Sequence, residues 1–233
     1  MPINSVCDAP DFHDHSGNDF VCSITPVLAK NREQVLSKLA EKFPNVFAEG
    51  LGLCFKVEAN LYPSASARPV FCPKRPVPYA SLEAVNTELS RLETQGVISP
   101  VTYSSWAAPI VVVRKATGAL RICADFSTGL NKALEKHQYT LPIPEDLFAK
   151  LNGGKIFSKI DFSDAYLQVP VATGSRELLT INTHRTVYRY NRLPFGLKCT
   201  PAIFQQIMDS ILAGMPFAMA YLDDIIVVSS DTD

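Results

Sequence analysis

The stretch Ala220-Tyr221-Leu222-Asp223-Asp224-Ile225-Ile226-Val227 sets two adjacent carboxylates between apolar flanks, and its reading decides the fold. The flanks have the composition of short strands, so Met219 to Leu222 and Ile225 to Val228 read as a hairpin with the acids at its bend. Two ionised neighbours repel one another and lose hydration in such a place. An ordinary solvent-facing tip would explain them, but tips of that kind usually carry Gly or Asn to reach positive φ. Here the chain is apolar right up to the acids. A divalent cation would relieve the repulsion, and the hard ion Mg²⁺ prefers carboxylate oxygen.

Upstream, Lys155 to Asp161 reads as another apolar strand ending on an acid, followed by a turn or short helix over Ser163 to Gln168. One carboxylate at a strand end and a pair on a hairpin are the parts of a two-metal site for phosphoryl transfer. Between them, Leu178 to Asn182 and Val187 to Tyr190 read as paired strands. A helix is expected from Thr200 to Ala213, with Thr200 as N-cap, Pro201 in its first position, and a buried face of Ile203, Phe204, Ile207, Met208, Ile211 and Leu212. Toward the N-terminus, Pro109 to Val113 and Ala119 to Ala124 flank Thr117-Gly118 as a second hairpin, with Arg114, Lys115 and Arg121 near its tip. A short helix is expected at Glu145 to Leu151. Ser81 opens an amphipathic helix with Leu82, Val85, Leu89 and Leu92 on one face and Gly96 beyond its end. Five prolines between residues 60 and 80 predict an extended connector. Lys30 to Phe43 has helical spacing and stops at Pro44, after a polar lead-in. His13-Asp14-His15 in that lead-in reads as solvated residues, not a metal cluster.

With 47% hydrophobic residues, the 233-residue chain can bury a real core, as one large domain or two unequal ones. No apolar run is long enough to span a bilayer, and no secretory signal pattern opens the chain. The six cysteines form no C-x-x-C pair, which argues against a zinc ribbon or disulfide framework and fits a reducing compartment. Net charge is -1, yet residues 103–198 hold 13 Lys+Arg against 7 Asp+Glu, while the remainder holds 9 against 16. A basic middle in an acidic chain is compatible with phosphate binding.

Three segments together carry a resemblance. Asp161-Phe162-Ser163-Asp164-Ala165-Tyr166-Leu167-Gln168-Val169 resembles the first catalytic motif of retroviral and Ty3/gypsy reverse transcriptases. Leu193-Pro194-Phe195-Gly196-Leu197-Lys198-Cys199-Thr200-Pro201-Ala202-Ile203-Phe204-Gln205 is similar to the family's Leu-Pro-Phe-Gly-Leu…Pro-Ala-x-Phe-Gln segment, and Tyr221-Leu222-Asp223-Asp224 resembles its Tyr-x-Asp-Asp box. Order and spacing agree, over roughly Phe43 to Ser230.

The resemblance implies an α+β fold: the fingers and palm of a right-hand polymerase, the palm a ferredoxin-like antiparallel sheet backed by helices. Its divisions would be residues 1–42 (flexible lead-in and N-terminal helix), 43–100 (connector and first fingers helix), 101–153 (fingers hairpin region) and 154–233 (palm, ending after the Tyr-Leu-Asp-Asp hairpin). The thumb would be absent. It implies an RNA-directed DNA polymerase in which Asp161, Asp223 and Asp224 hold two Mg²⁺ ions (Mn²⁺ as substitute), with the Phe162 carbonyl as a further ligand. Lys115 and Arg121 would clamp the triphosphate. Asp164, Ala165, Tyr166, Phe195 and Gly196 would form the nucleotide pocket, Tyr166 excluding a 2′-hydroxyl and Gly196 letting backbone approach base or sugar. Gln205 and Tyr221 would meet the template-primer, while Trp106 would pack. The implied partners are an RNA or DNA template with primer and dNTPs, without a membrane. RNase H and integrase regions would belong to a complete polyprotein, and the parent element to cytoplasmic virus-like particles. Asp125-Phe126-Ser127-Thr128-Gly129-Leu130-Asn131-Lys132 departs from the family's pattern by lacking its Arg and holding one extra residue. The alternative is a catalytically inactive relic that at most binds nucleic acid. A viral RNA-dependent RNA polymerase fits less well, since that class commonly carries Gly-Asp-Asp.

Overall fold

The computed structural model describes residues 27–48, 50–114 and 120–230. The chain divides after Gly50 into two compact units, and each is described by itself. In the first, helix α1 (Val27–Lys42) is followed by the single turn α2 (Pro44–Phe47), which opens on the proline because a first-turn N–H has no partner to lose. The lead-in with His13 and His15, and the hairpin tip with Lys115, lie outside the described residues.

The second unit begins with the proline-stiffened connector, held by isolated backbone bonds instead of a ladder. Cys54 N–H donates to Gln168 C=O, Ala59 to Pro170 and Cys72 to Ala107, each at 2.8 Å. Helix α3 (Tyr79–Thr94) starts two residues ahead of Ser81, buries Val85, Leu89 and Leu92, and closes at Gly96 with φ +67°. Strand β1 (Ile98–Val101) leads to the hairpin β2 (Ala108–Arg114) and β3 (Leu120–Ala124). Two short helices, α4 (Leu130–Ala133) and α5 (Pro144–Leu151), separate it from β4 (Ile156–Asp161). Next come the hairpin β5 (Thr180–Asn182) and β6 (Val187–Tyr190), helix α6 (Thr200–Ile211), and the hairpin β7 (Ala218–Tyr221) and β8 (Asp224–Ser229).

These strands form two sheets. One has the order β1-β6-β5-β2-β3 and is mixed, because β2 and β5 run parallel through Ala108↔Ile181 while its other pairs are antiparallel. The other is antiparallel, β4-β8-β7. Ala220 and Ile225 of this sheet share one core with Ile203, Phe204 and Ile207 of α6 and with Trp106 and Leu89, so the α+β arrangement of an antiparallel sheet backed by α6 is present.

Three local expectations change. Leu178 and Leu179 are both buried but lie in a 3₁₀ segment, Thr173–Leu179, and not in β5, which begins at Thr180. Cys199 occupies the N-cap of α6, while the Thr200 hydroxyl donates to the Pro194 carbonyl at 2.9 Å. The helix also stops at Ile211, short of Ala213, before Gly214 turns the chain at φ +88°.

Candidate active site

The carboxylates meet where β4 ends. The β4–β8 register pairs Asp161 with Asp224, and direct antiparallel partners project from the same face of a sheet. Tyr221 and Asp224 close the neighbouring hairpin, leaving Leu222 and Asp223 as its two turn residues. The positive φ that a tight hairpin needs is taken by Leu222, at +56°, and not by a glycine. Partial loss of hydration, then repulsion by Asp224 and more weakly by Asp223, raises the Asp161 carboxyl above its ordinary value, while Lys159 pulls it down. Lys159 Nζ stands 2.8 Å from Asp224 Oδ2. Period-two alternation puts Lys159 on the face of Asp161, a signal available in the sequence but not drawn from it.

Among the described residues, no three His, Cys, Asp or Glu side chains are already gathered around one point. The donors nevertheless fit a hard divalent cation. They are carboxylate oxygens at one end of the sheet, and the charge they concentrate is what such an ion would neutralise.

Beside them is an aromatic pocket. Tyr166 is buried, its ring centroid 4.7 Å from that of Phe195 and 5.0 Å from that of Phe204. Burial and the charge of Asp223 raise its hydroxyl pKa, and Arg121 opposes them, so the ring lies within electrostatic reach of both. The Arg121 guanidinium sits over the Phe195 ring at 3.3 Å, a cation–π contact. Its Nη2 is buried without a hydrogen-bond partner among the described residues, a donor that a phosphate oxygen would satisfy. Asp164, in the left-handed region at φ +48°, faces Arg91 at 3.5 Å. Ala165 is buried, whereas Phe162 is half-buried against the core.

Two residues stand differently from the expectation. Gly196 has φ +96°, and a Cβ there would lie 2.5 Å from the Ala124 carbonyl oxygen. Its missing side chain makes room for β3 backbone, a contact the sequence does not announce. Gln205 is fully buried: Oε1 accepts from Leu222 N–H at 2.8 Å, and Nε2 donates to the Ala220 carbonyl at 2.9 Å. It holds the turn from behind, whereas Tyr221 is exposed beside it.

Asn131 braces the Phe195-Gly196 loop, Nδ2 donating to Gly196 C=O and Oδ1 accepting from Lys198 N–H, both at 2.9 Å. In the sequence its neighbourhood stands out only for a missing Arg and one extra residue. Side-chain bonds across 65 residues leave no local pattern to read.

The family model described as reverse transcriptase (RNA-dependent DNA polymerase) matches residues 113–233, a span holding both carboxylate strands and the aromatic pocket. The chain belongs to the reverse transcriptase family. Uncharacterized protein K02A2.6 of Caenorhabditis elegans is 50% identical over 197 residues, covering 84% of this chain and 16% of that protein. The Transposon Tf2-3 polyprotein of Schizosaccharomyces pombe is 33% identical over 156 residues, covering 66% and 12%. This reverse transcriptase domain thus spans under a fifth of the curated relatives it matches. Its fold is similar to the foamy viral protease-reverse transcriptase solved in complex with RNA/DNA hybrid, with a TM-score of 0.76, 19% identity, and coverage of 92% of this chain and 31% of that one. It is of the Ty3/gypsy retrotransposon type, by descent an RNA-directed DNA polymerase of the nucleotidyltransferase class. No helix among the described residues is long and apolar enough to cross a membrane.

Proposed function

We propose that this domain extends a nucleic-acid primer on an RNA or DNA template by two-metal nucleotidyl transfer, with Asp161, Asp223 and Asp224 as the metal ligands. The observation that carries this reading is the register of β4 and β8, which sets Asp161 directly against Asp224 with Asp223 next to it on the turn. When bound, two Mg²⁺ ions would favour ionisation of the primer 3′-hydroxyl and neutralise charge on the departing pyrophosphate. The hydroxyl oxygen forms a bond to the α-phosphorus of the dNTP as the bond from that phosphorus to pyrophosphate breaks.

The chain's own groups bind and orient. Arg121 Nη2, without a hydrogen-bond partner among the described residues, meets a triphosphate oxygen, and the Phe195 ring holds the planar guanidinium in place. Lys115 assists as a point charge, and the Phe162 carbonyl adds a metal ligand. Tyr166, wedged between Phe195 and Phe204, forms a floor under the sugar too rigid to yield to a 2′-hydroxyl. Asp164 and Ala165 shape the backbone beside it, and Tyr221 faces the primer strand. The parent polyprotein carries RNase H and integrase functions and works in cytoplasmic virus-like particles.

The test is primer extension on an RNA template with dNTPs and Mg²⁺, paired with a gel-shift measurement of primer-template binding. Extension by the wild type and its loss in Asp223→Asn, with binding retained, is the expected result. Binding without extension in the wild type would favour the inactive-relic reading.

A further inference from the structure

The turn that carries Asp223 is tied to a hydrogen-bonded chain that leaves the active site through α6. Gln205 makes three bonds at zero exposure: it accepts from Leu222 N–H, and its two amide hydrogens go to the Ala220 carbonyl and to Asp209 Oδ1, the last at 3.0 Å. Asp209 Oδ2 in turn accepts from the Tyr139 hydroxyl at 2.5 Å, across 70 residues of sequence. Every polar atom of the Gln205 amide is used, so its orientation is fixed by its neighbours.

We propose that Asp209 and Tyr139 are positioning residues for the catalytic turn, acting through Gln205. This rests on the reading of that turn as catalytic. The argument concerns which way an amide can face. Asp209 offers only acceptor oxygens, so the Gln205 NH₂ must point to it, and the amide oxygen is left for Leu222. A flipped amide would set its oxygen against both the Ala220 carbonyl and the Asp209 carboxylate and a donor against the Leu222 N–H, so the carboxylate adds to the cost of losing the native orientation. Leu222 holds a positive φ that a leucine seldom adopts unaided, so it needs that acceptor. Tyr139 fixes the carboxylate from the other side. The hydrogen bond to Asp209, with some burial, pushes its pKa up to about 12, so the hydroxyl stays a donor at neutral pH. A bare helical contact between residues four apart would explain the Gln205–Asp209 bond alone. It would explain neither the Tyr139 bond nor the two bonds that bracket Tyr221.

The test is amide hydrogen exchange by NMR in the chain itself, for Tyr139→Phe, Asp209→Ala and Asp209→Asn. Exchange at Leu222 N–H should quicken about tenfold in Asp209→Ala, the scale expected when a buried hydrogen bond is weakened, with less change at α6 amides. Asp209→Asn keeps one acceptor and should fall between Asp209→Ala and the wild type. Tyr139→Phe removes one oxygen and no packing, so it serves if Asp209→Ala fails to fold. In primer extension, the variants should lower kcat and leave KM for dNTP unchanged, because the triphosphate contacts lie elsewhere. Unchanged Leu222 exchange in Asp209→Ala and Tyr139→Phe overturns the proposal, and a response to Asp209→Ala alone overturns the part given to Tyr139. A wild type that extends no primer counts against the polymerase reading, while the exchange rates still decide the relay.

Discussion

Asp161 and Asp224 are direct partners across the β4–β8 pair, and Lys159, on the same face, holds Asp224 Oδ2 at 2.8 Å. The pairing concentrates negative charge at one end of the sheet, and the lysine offsets part of it. A cation entering the site must compete with Lys159 for that oxygen.

Lys159→Met should therefore tighten metal binding. With the competitor gone, half-saturating Mg²⁺ in primer extension should fall several-fold, roughly what one partly exposed charge pair is worth. A Mg²⁺ titration of both proteins checks this; an unchanged or higher requirement would give the lysine a helping role instead.

Asp161→Asn should stabilise the metal-free fold. The folded-state carboxyl lies above its ordinary value, so the native state binds its proton more tightly than the unfolded chain does. That contribution is fully present below the ordinary carboxylate pKa of about 3.9 and is lost as pH rises through the folded value. At pH 7 the variant should gain under about 1 kcal/mol, because the site is open to screening solvent. Thermal melts at pH 7 and pH 3 read the difference, which should vanish at the lower pH.

Gly196→Ala should cost about 2–4 kcal/mol, since it combines a positive φ with a contact too close for any carbon. Denaturant unfolding measures it. A loss below 0.5 kcal/mol, the scale of an ordinary surface change, would mean that the Ala124 carbonyl can move aside.

Tyr166→Val should admit ribonucleotides, raising the ratio of ribo- to deoxynucleotide incorporation by about tenfold or more, as a gap opens beneath the sugar. It should also lower stability by roughly 2–4 kcal/mol, because the ring is buried between Phe195 and Phe204. Single-nucleotide kinetics with each substrate separate the two effects. An unchanged ratio would leave Tyr166 as a packing residue.

What was legible in the sequence was what local pattern controls. Val85, Leu89 and Leu92 repeat at helical spacing and form the buried stripe of α3. The apolar flanks of Asp223 gave the β7–β8 hairpin, and the resemblance placed Asp161 on the strand beside it. Contacts set by the path of the chain were not legible. The parallel pairing of β2 with β5 joins residues more than 70 apart, which no periodicity records. The partner of the bend was not legible either: no Gly or Asn marks the Tyr-Leu-Asp-Asp turn, and the acceptor for Leu222 N–H, where the chain takes positive φ, is Gln205 on another element. At Gly196 the sequence did not show the approach of the Ala124 carbonyl. A glycine shows that something approaches closely, not what approaches.

The most direct measurement of the three-carboxylate metal site is Mn²⁺ titration followed by electron paramagnetic resonance, in the presence of dNTP and a primer-template lacking its 3′-hydroxyl. The wild type should bind two ions per site, and Asp161→Asn, Asp223→Asn and Asp224→Asn should each weaken that binding by tenfold or more, roughly 1.4 kcal/mol. Wild-type stoichiometry and affinity retained in all three variants would contradict the account.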